Sequence, residues 1–562
     1  MNRSLPAILL LLIAAPAAQA APTFSKLPTV GRSLTTSTAV PRNCSATSAA
    51  ARRGVSVSRY VAPMSGFVTA RLRAAGKSDW DLVVRDHATR RQLASSKGFG
   101  SDELVQSWAG AGQRIDFVAC RRSGRARTAK LAISFVDIAP KQSKDVVSLV
   151  RVTGDEAKIQ GLENAGLDVT HERGHNFADV LVAGADQRSL LASSGLATTT
   201  RVADMTKFAA ASDRADARRA ARFGRSALPS GRTTYRTYSD IQAELKALVE
   251  QYPDKARPVV IGKTFQGRDI QGVEIANDVN ATDGRPIFFL MGEHHAREWP
   301  SEEAAMEYAT MLAKQGDDPR VASLMANERT VIVPVVNVDG FITTRQDSAI
   351  DPNDNNPAGQ DPTIHLGEAV APPGGILAYR RKNCSGEFPD PSVPCELQWG
   401  VDNNRNYGNL WGGPGSSQDP TSQSFHGPGP RSEPETQAVW NYTRTHQVTM
   451  LMTLHNVAAL VLRPPGLHDG GKAPDEARMK AIGDAMGAAT GYTSQYSFEL
   501  YDTAGTTEDD TYTATGGYGY TIEIGPKDGM FHMPYQQGFV DQWEHGDAPG
   551  GGGLRDALLI AG

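Results

Sequence analysis

Five short, uninterrupted apolar runs in the second half of this 562-residue chain constrain its fold more than any other feature. They are PVVIG at 258–262, PIFFLMG at 286–292, TVIVPVV at 330–336, VTMLMTL at 448–454 and YGYTIEI at 518–524. A strand of alternating polarity can keep one face in water, but a continuous apolar strand needs cover on both faces. Helical periodicity fills the intervals. It begins with Ile241, Leu245, Leu248 and Val249, behind a capping box predicted at Ser239 and Gln242. Residues 234–562 are therefore expected to form one α/β domain, a mixed sheet flanked by helices.

In open α/β sheets, chemistry collects beyond the carboxyl ends of the strands. The first such end leads from PIFFLMG into His294, His295, Arg297 and Glu298, just before a helix starting at Pro300 with a core stripe of Ala305, Tyr308, Ala309 and Leu312. VTMLMTL runs directly into His455, and YGYTIEI carries Glu523. Two histidines and one glutamate form a three-donor set that leaves zinc an open position, as catalytic zinc requires. Glu523 then stays free to act as a base.

These residues, with further motifs, resemble the zinc metallocarboxypeptidases of the carboxypeptidase A and B type, over about residues 235–562. HHARE at 294–298 is similar to the family's first zinc motif, which implies His295 and Glu298 as ligands and His294 as a neighbour only. TLHN at 453–456 implies His455 as the third ligand, and TIEI at 521–524 implies Glu523 as the catalytic glutamate. VDNNRNY at 401–407 resembles the stretch that holds the substrate's terminal carboxylate, here through Asn404 and Arg405. RRKN at 380–383 resembles the motif whose arginine polarises the scissile carbonyl, which implies Arg381. LYDTAGTTEDDTY at 500–512 resembles the segment of the tyrosine that closes over the substrate, and its end implies Tyr512. Arg297 sits where the family uses an arginine to help receive the peptide. The resemblance implies one Zn2+ per catalytic domain and a substrate with a free C-terminus.

The chain also departs from that pattern. Asp510 and Arg380 stand where tryptophan is usual, and residues 342–379 form an insertion rich in Asp, Asn and Pro. Within it, DPNDNN at 351–356 loosely resembles a calcium loop, without the glycine and terminal glutamate of an EF-hand. Leu462, Gly466 and Thr521 match small or apolar pocket positions of the family and lean towards apolar C-terminal residues, whereas Asp510 would favour a basic one.

The first half reads as separate modules. Residues 1–20 have the arginine, short apolar run and small-residue ending of a signal peptide, so the mature protein is expected to be secreted or periplasmic, with no membrane span. Period-two runs over 40–140 predict a small β-sandwich, similar to the pre-peptidase modules of secreted bacterial proteases. Residues 143–205 follow the β-α-β-β-α-β order of a ferredoxin-like fold. They contain His171-Glu172-Arg173-Gly174-His175, which satisfies the HExxH pattern of helical zinc sites. Gly174 inside the motif and strand-like residues on either side predict a hairpin turn there instead. The Arg- and Ala-rich stretch 206–233 reads as a solvated helical linker, open to processing near Arg225 to Arg232. Export favours two disulfides, Cys44–Cys120 and Cys384–Cys395. A net charge of −4 gives no reason to expect nucleic acid or an anionic membrane as partner, and the oligomeric state is left open.

The expected activity is removal of C-terminal residues from peptides or proteins by a zinc carboxypeptidase, made as a zymogen. The alternatives are a zinc amidase of the same fold acting on cell-wall stem peptides or N-acyl amino acids, and a non-enzymatic secreted binding protein. The last would be expected to have lost Glu523 or a ligand, and it has lost neither.

Overall fold

The structure is a computed structural model describing residues 25–40, 44, 53–64, 66–90, 92–137, 146–314, 318–347, 376–385 and 400–562. The expected leader, the calcium-like stretch and Cys395 lie outside these residues. Among the described residues, no helix is long and apolar enough to cross a membrane.

The N-terminal strands are β1 (Ser25–Lys26), β2 (Val30–Thr35), β3 (Val55–Val61), β4 (Gly66–Ala74), β5 (Asp79–Asp86), β6 (Gln92–Ser96), β7 (Asp102–Ala109), β8 (Arg114–Ser123) and β9 (Thr128–Asp137). They form two antiparallel sheets, β1-β9-β4-β7 with β2 also on β9, and β3-β8-β5-β6. Val68, Ala70 and Leu72 of the first share one core with Trp80, Leu82 and Val84 of the second, as period-two alternation requires. Because β1 and β2 belong to this unit, it starts earlier than residue 40. Cys44 bonds Cys120 with Cα atoms 5.5 Å apart. Cys384 is also disulfide-bonded.

Next come β10 (Val147–Thr153), β11 (Asp168–Gly174), β12 (Phe177–Ala183) and β13 (Ala197–Val202), with helices Glu156–Asn164 and Gly184–Ser193 on the crossovers. The antiparallel order is β11-β12-β10-β13, which leaves β11 on an edge. Its ladder with β12 is broken between Val169 and Arg173. The motif at 171–175 thus differs from the expected turn: His171 to Gly174 lie on the strand, and only His175 lies in the turn. The helix Met205–Phe223 follows; it is docked as well as solvated, because buried Asp216 accepts from the backbone N–H of Tyr535 at 2.9 Å.

The remaining strands are β14 (Ala256–Lys263), β15 (Asp269–Ile275), β16 (Ile287–Met291), β17 (Arg329–Val333), β18 (Val448–Asn456), β19 (Leu460–Arg463), β20 (Thr493–Tyr496) and β21 (Tyr518–Ile524). They build one mixed sheet in the order β14-β15-β17-β16-β18-β21-β19-β20, with β17, β16, β18 and β21 parallel. Phe288 and Leu290 face one core, while Ile287, Phe289 and Met291 face another. This two-sided burial accounts for the apolar run of β16, whereas β14, which carries PVVIG, is an edge strand with Val260 47% exposed, so that run lacks the expected cover on both faces. The helix Tyr238–Gln251 is capped by Thr237 in a capping box with Asp240, two residues before the expected one. Ser239 instead bonds Ser95, and Gln242 accepts from the N–H of Lys97, so both serve the contact with the N-terminal sheets.

Candidate functional site

Three parallel strand ends meet at one place. In the register of β18 and β21, His455 lies beside Glu523 and Thr453 beside Thr521, so all four project towards the same face. β16 stops at Met291 and turns through Gly292. A Cβ there would stand 2.6 Å from the Pro334 carbonyl oxygen and 2.9 Å from Ser301 backbone, so only glycine lets the 293–298 turn tuck in above the sheet.

His295 Nδ1 lies 2.9 Å from Glu298 Oε1, His455 Nδ1 lies 2.9 Å from Glu298 Oε2, and the two Nδ1 atoms are 3.1 Å apart. All three side chains are buried. Two neutral imidazoles pointing lone-pair edges at each other around one carboxylate can share at most a proton, whereas a tetrahedral cation satisfies all three at once. The donor set therefore fits zinc. The far nitrogen of each imidazole is also held, as metal-binding histidines require: His295 Nε2 lies 3.1 Å from Asp402 Oδ1, and His455 Nε2 lies 3.1 Å from Thr453 Oγ1. His294 turns away, to Thr453 Oγ1 at 2.9 Å and Tyr407 OH at 2.9 Å, and remains a neighbour.

The electrostatics agree. Burial alone would raise the Glu298 carboxyl, but His295 and His455 hold it well below the usual carboxylate range. Burial lowers His455, yet Glu298 raises it overall. A proton and a metal compete for that same nitrogen. Burial and Arg381 both lower His295, which favours the neutral form a metal donor needs.

Asp402 was not singled out from the sequence, although it lies inside VDNNRNY. One of its oxygens holds His295 and accepts from the N–H of Asn404 at 2.9 Å; the other accepts from Arg381 Nε at 3.0 Å and Nη2 at 2.9 Å. Burial would raise this carboxyl, but Arg381 holds it well below its usual range. One carboxylate thus fixes His295 and Arg381 together, the residues expected to bind metal and to polarise the carbonyl.

Asn404 Oδ1 accepts from Thr507 Oγ1 at 2.8 Å. Arg405 donates to the Gly415 carbonyl at 2.8 Å and to Tyr501 OH at 2.7 Å. Leu462 and Thr521 are partners across β19 and β21 and both are buried, with Thr521 Oγ1 lacking a hydrogen-bond partner. Tyr512 is elsewhere: it sits in the helix Thr507–Thr515, and its hydroxyl bonds Asp475 Oδ2 at 3.2 Å. The tyrosine beside Arg405 is Tyr501, at the other end of the same motif. Asp510 is paired with Arg431 at 2.6 Å and accepts from Asn409 N–H at 2.9 Å, so it is not available to select a basic side chain.

His171 also enters the site. Its Nε2 lies 3.2 Å from Arg381 Nη1 and its Nδ1 lies 2.9 Å from Glu523 Oε1. Its donor atom groups with those of His295 and Glu298 within 4.8 Å. Glu523 is buried. Nearby, Asp168 grips Arg297 through both carboxylate oxygens, one contact at 2.8 Å. His175 of the same motif is 87% exposed. The HExxH pattern therefore brings no two histidines together, as its strand-like setting predicts.

Comparison with known proteins places these residues in a family context. The zinc carboxypeptidase family matches residues 241–545. Carboxypeptidase A2 of Mus musculus is 28% identical over 41% of this chain and 47% of its own length, and the zinc carboxypeptidase of Simulium vittatum is 28% identical over 54% and 90% respectively. The chain thus spans about half the length of the mouse relative. Among solved structures, the carboxypeptidase A from Helicoverpa armigera has a TM-score of 0.56 at 22% identity, covering 70% of this chain and 91% of its own. Thrombin activatable fibrinolysis inhibitor has a TM-score of 0.55 at 18% identity, covering 75% and 97%. These two likenesses establish the fold.

Proposed function

Because the chain belongs to the zinc carboxypeptidase family, we propose that it is a metallocarboxypeptidase that hydrolyses the C-terminal peptide bond of peptides or proteins, exported and made as a precursor. The observation that carries this reading is the convergence of His295, Glu298 and His455 beside Glu523 and Arg381 at the ends of three parallel strands. Zinc held by the first three residues would acidify a water and polarise a carbonyl.

The chain's own residues supply the rest. Glu523 takes the proton of the attacking water and returns it to the leaving amine, a role worth about 10²–10⁴-fold. Arg381, oriented by Asp402, donates to the carbonyl oxygen as charge develops there. Arg405 and Asn404 receive the terminal carboxylate, and Tyr501 takes the role expected of Tyr512, because its hydroxyl stands on Arg405. The 1–20 leader and the Cys44–Cys120 disulfide support export.

The segment β10 to β13, with its β11-β12-β10-β13 order, supports a ferredoxin-like precursor domain, and the nine strands before it support a sandwich module. For processing, Arg222 and Arg225 are exposed, whereas Arg232 is tied to Glu244 at 2.8 Å and Asp240 at 3.1 Å. A cut at the end of the helix Met205–Phe223 is therefore favoured over one at Arg232.

The test is incubation of cut, zinc-loaded protein with paired unblocked and C-terminally amidated peptides, read by mass spectrometry. Stepwise loss of C-terminal residues from unblocked peptides only is expected. Internal cleavage, or equal cleavage of both sets, would refute the exopeptidase reading; release of stem-peptide or N-acyl groups alone would favour the amidase.

A further inference from the structure

His171 touches two groups the reaction needs, yet the reaction does not use it. β11 is an edge strand, and its broken pairing with β12 between Val169 and Arg173 is a bulge, a device that re-aims side chains. Here it turns His171 out of the precursor sheet and into the cleft, where the residue is buried.

The hydrogen-bond roles follow from the partners. A guanidinium can only donate. Arg381 Nη1, 3.2 Å away, therefore makes His171 Nε2 an acceptor and leaves the ring proton on Nδ1. That nitrogen is in short polar contact with Glu523 Oε1 at 2.9 Å. Nε2 thus stands to Arg381 as a scissile carbonyl oxygen would, and Nδ1, which makes no aligned hydrogen bond, fills the space beside Glu523 that the attacking water would need. Binding a metal through Nδ1 would move the proton to Nε2, where it would face the N–H of Arg381, so the geometry favours the bridge over ligation.

The neighbours reinforce the placement. Asp168 occupies Arg297, and the Arg173 guanidinium lies over the Tyr501 ring at 4.4 Å. The cavity left between Asp168, His171, Arg381, Arg405 and Tyr501 is about 10 Å³. That is space for one water at most, not for a peptide.

We propose that His171 is a built-in occupant of the catalytic centre. In the uncut chain the β11 bulge holds its imidazole between Arg381 and Glu523 in place of the reacting peptide group and water, and removal of the segment ahead of residue 234 frees both residues at once. This rests on the carboxypeptidase reading above, and the experiment keeps the two apart.

The full chain is prepared uncut and cut at Arg222 or Arg225, as wild type and His171→Ala, and assayed on an unblocked peptide. Uncut His171→Ala is expected to turn over at least tenfold faster than uncut wild type, with the two cut proteins equal. A second measurement does not use activity: amide hydrogen exchange of residues 168–174 in uncut protein. Glu523→Gln keeps His171 but replaces the carboxylate packed against its ring with a neutral amide, and is expected to speed this exchange about tenfold. The double variant is expected to be no faster than His171→Ala alone, because both changes remove the same contact. In the cobalt-substituted uncut protein, His171→Ala should leave the visible absorption unchanged. The bridge is overturned if Glu523→Gln exchanges like wild type, if uncut His171→Ala stays as inert as uncut wild type, or if the cobalt bands shift, which would make His171 a ligand. Inactive cut wild type would bring down the proposed reaction itself, and this inference with it.

Discussion

Asp402→Asn tests whether one buried carboxylate sets both His295, the proposed metal ligand, and Arg381, the arginine proposed to polarise the carbonyl. Both carboxylate oxygens face donors: Oδ1 meets His295 Nε2 at 3.1 Å and the N–H of Asn404 at 2.9 Å, and Oδ2 meets Arg381 at 3.0 and 2.9 Å. An amide has one oxygen to offer, so whichever way the new side chain flips, its NH2 faces a donor. If the oxygen stays with His295, the buried Arg381 loses its charge partner, at a cost of about 3–5 kcal/mol. If it turns to Arg381, the imidazole that orients a metal donor is released, and metal affinity falls roughly 10–100-fold. In the first case the apparent melting temperature of the metal-free protein drops by roughly 5–15 °C. In the second, a competitive chelator removes zinc at correspondingly lower concentration. Differential scanning calorimetry and chelator titration, run on the same preparations, read the two costs separately. A variant within threefold of wild type in zinc affinity, with an unchanged melting temperature, would refute the dual role.

Two further outcomes are expected. In cut enzyme, Tyr501→Phe removes a hydroxyl 2.7 Å from a buried guanidinium and should lower kcat/KM by about 10–100-fold, whereas Tyr512→Phe, whose hydroxyl bonds Asp475, should change it less than threefold; steady-state kinetics yielding the reverse order would restore Tyr512. Burial pushes the Asp216 carboxyl up to about 7. An acid raised in the folded state binds protons that the unfolded state has lost, so docking of the helix Met205–Phe223 should be strongest below about pH 4 and weaken as pH rises through 7. Limited proteolysis of that helix should accordingly run faster at pH 8 than at pH 5, and Asp216→Asn should remove the difference; an equal pH dependence in the variant would exclude Asp216 as the cause.

The catalytic domain was legible because each of its signals is local. The apolar runs of the inner strands call for cover on both faces, and Phe288 with Leu290 and Ile287 with Phe289 duly divide between two cores, while PVVIG on the edge strand β14 leaves Val260 exposed. Once the strands are parallel, their carboxyl ends must gather, which brings His455 level with Glu523 although 68 positions separate them. The capping box shows where locality stops. Thr237 with Asp240 and Ser239 with Gln242 carry the same spacing signal, and the choice between them involves Ser95 and Lys97, two residues of another module.

The residues the sequence did not locate share that dependence on distant partners. LYDTAGTTEDDTY offers two tyrosines, and only the start of a helix at Thr507 decides that Tyr512 turns to Asp475 while Tyr501, in the loop ahead of it, reaches Arg405. In the 171–175 motif, Gly174 and the flanking strand residues argue against a helix on local grounds, and residues 171–174 do lie on a strand. Those grounds say nothing about where the edge of that sheet docks. A side chain can fail every local test for a metal motif and still lie beside residues that could hold a metal, because a bulge on an edge strand can aim it there from a different sheet. Local pattern excludes a mechanism for His171; the docking of β11 against Arg381 and Glu523 supplies one.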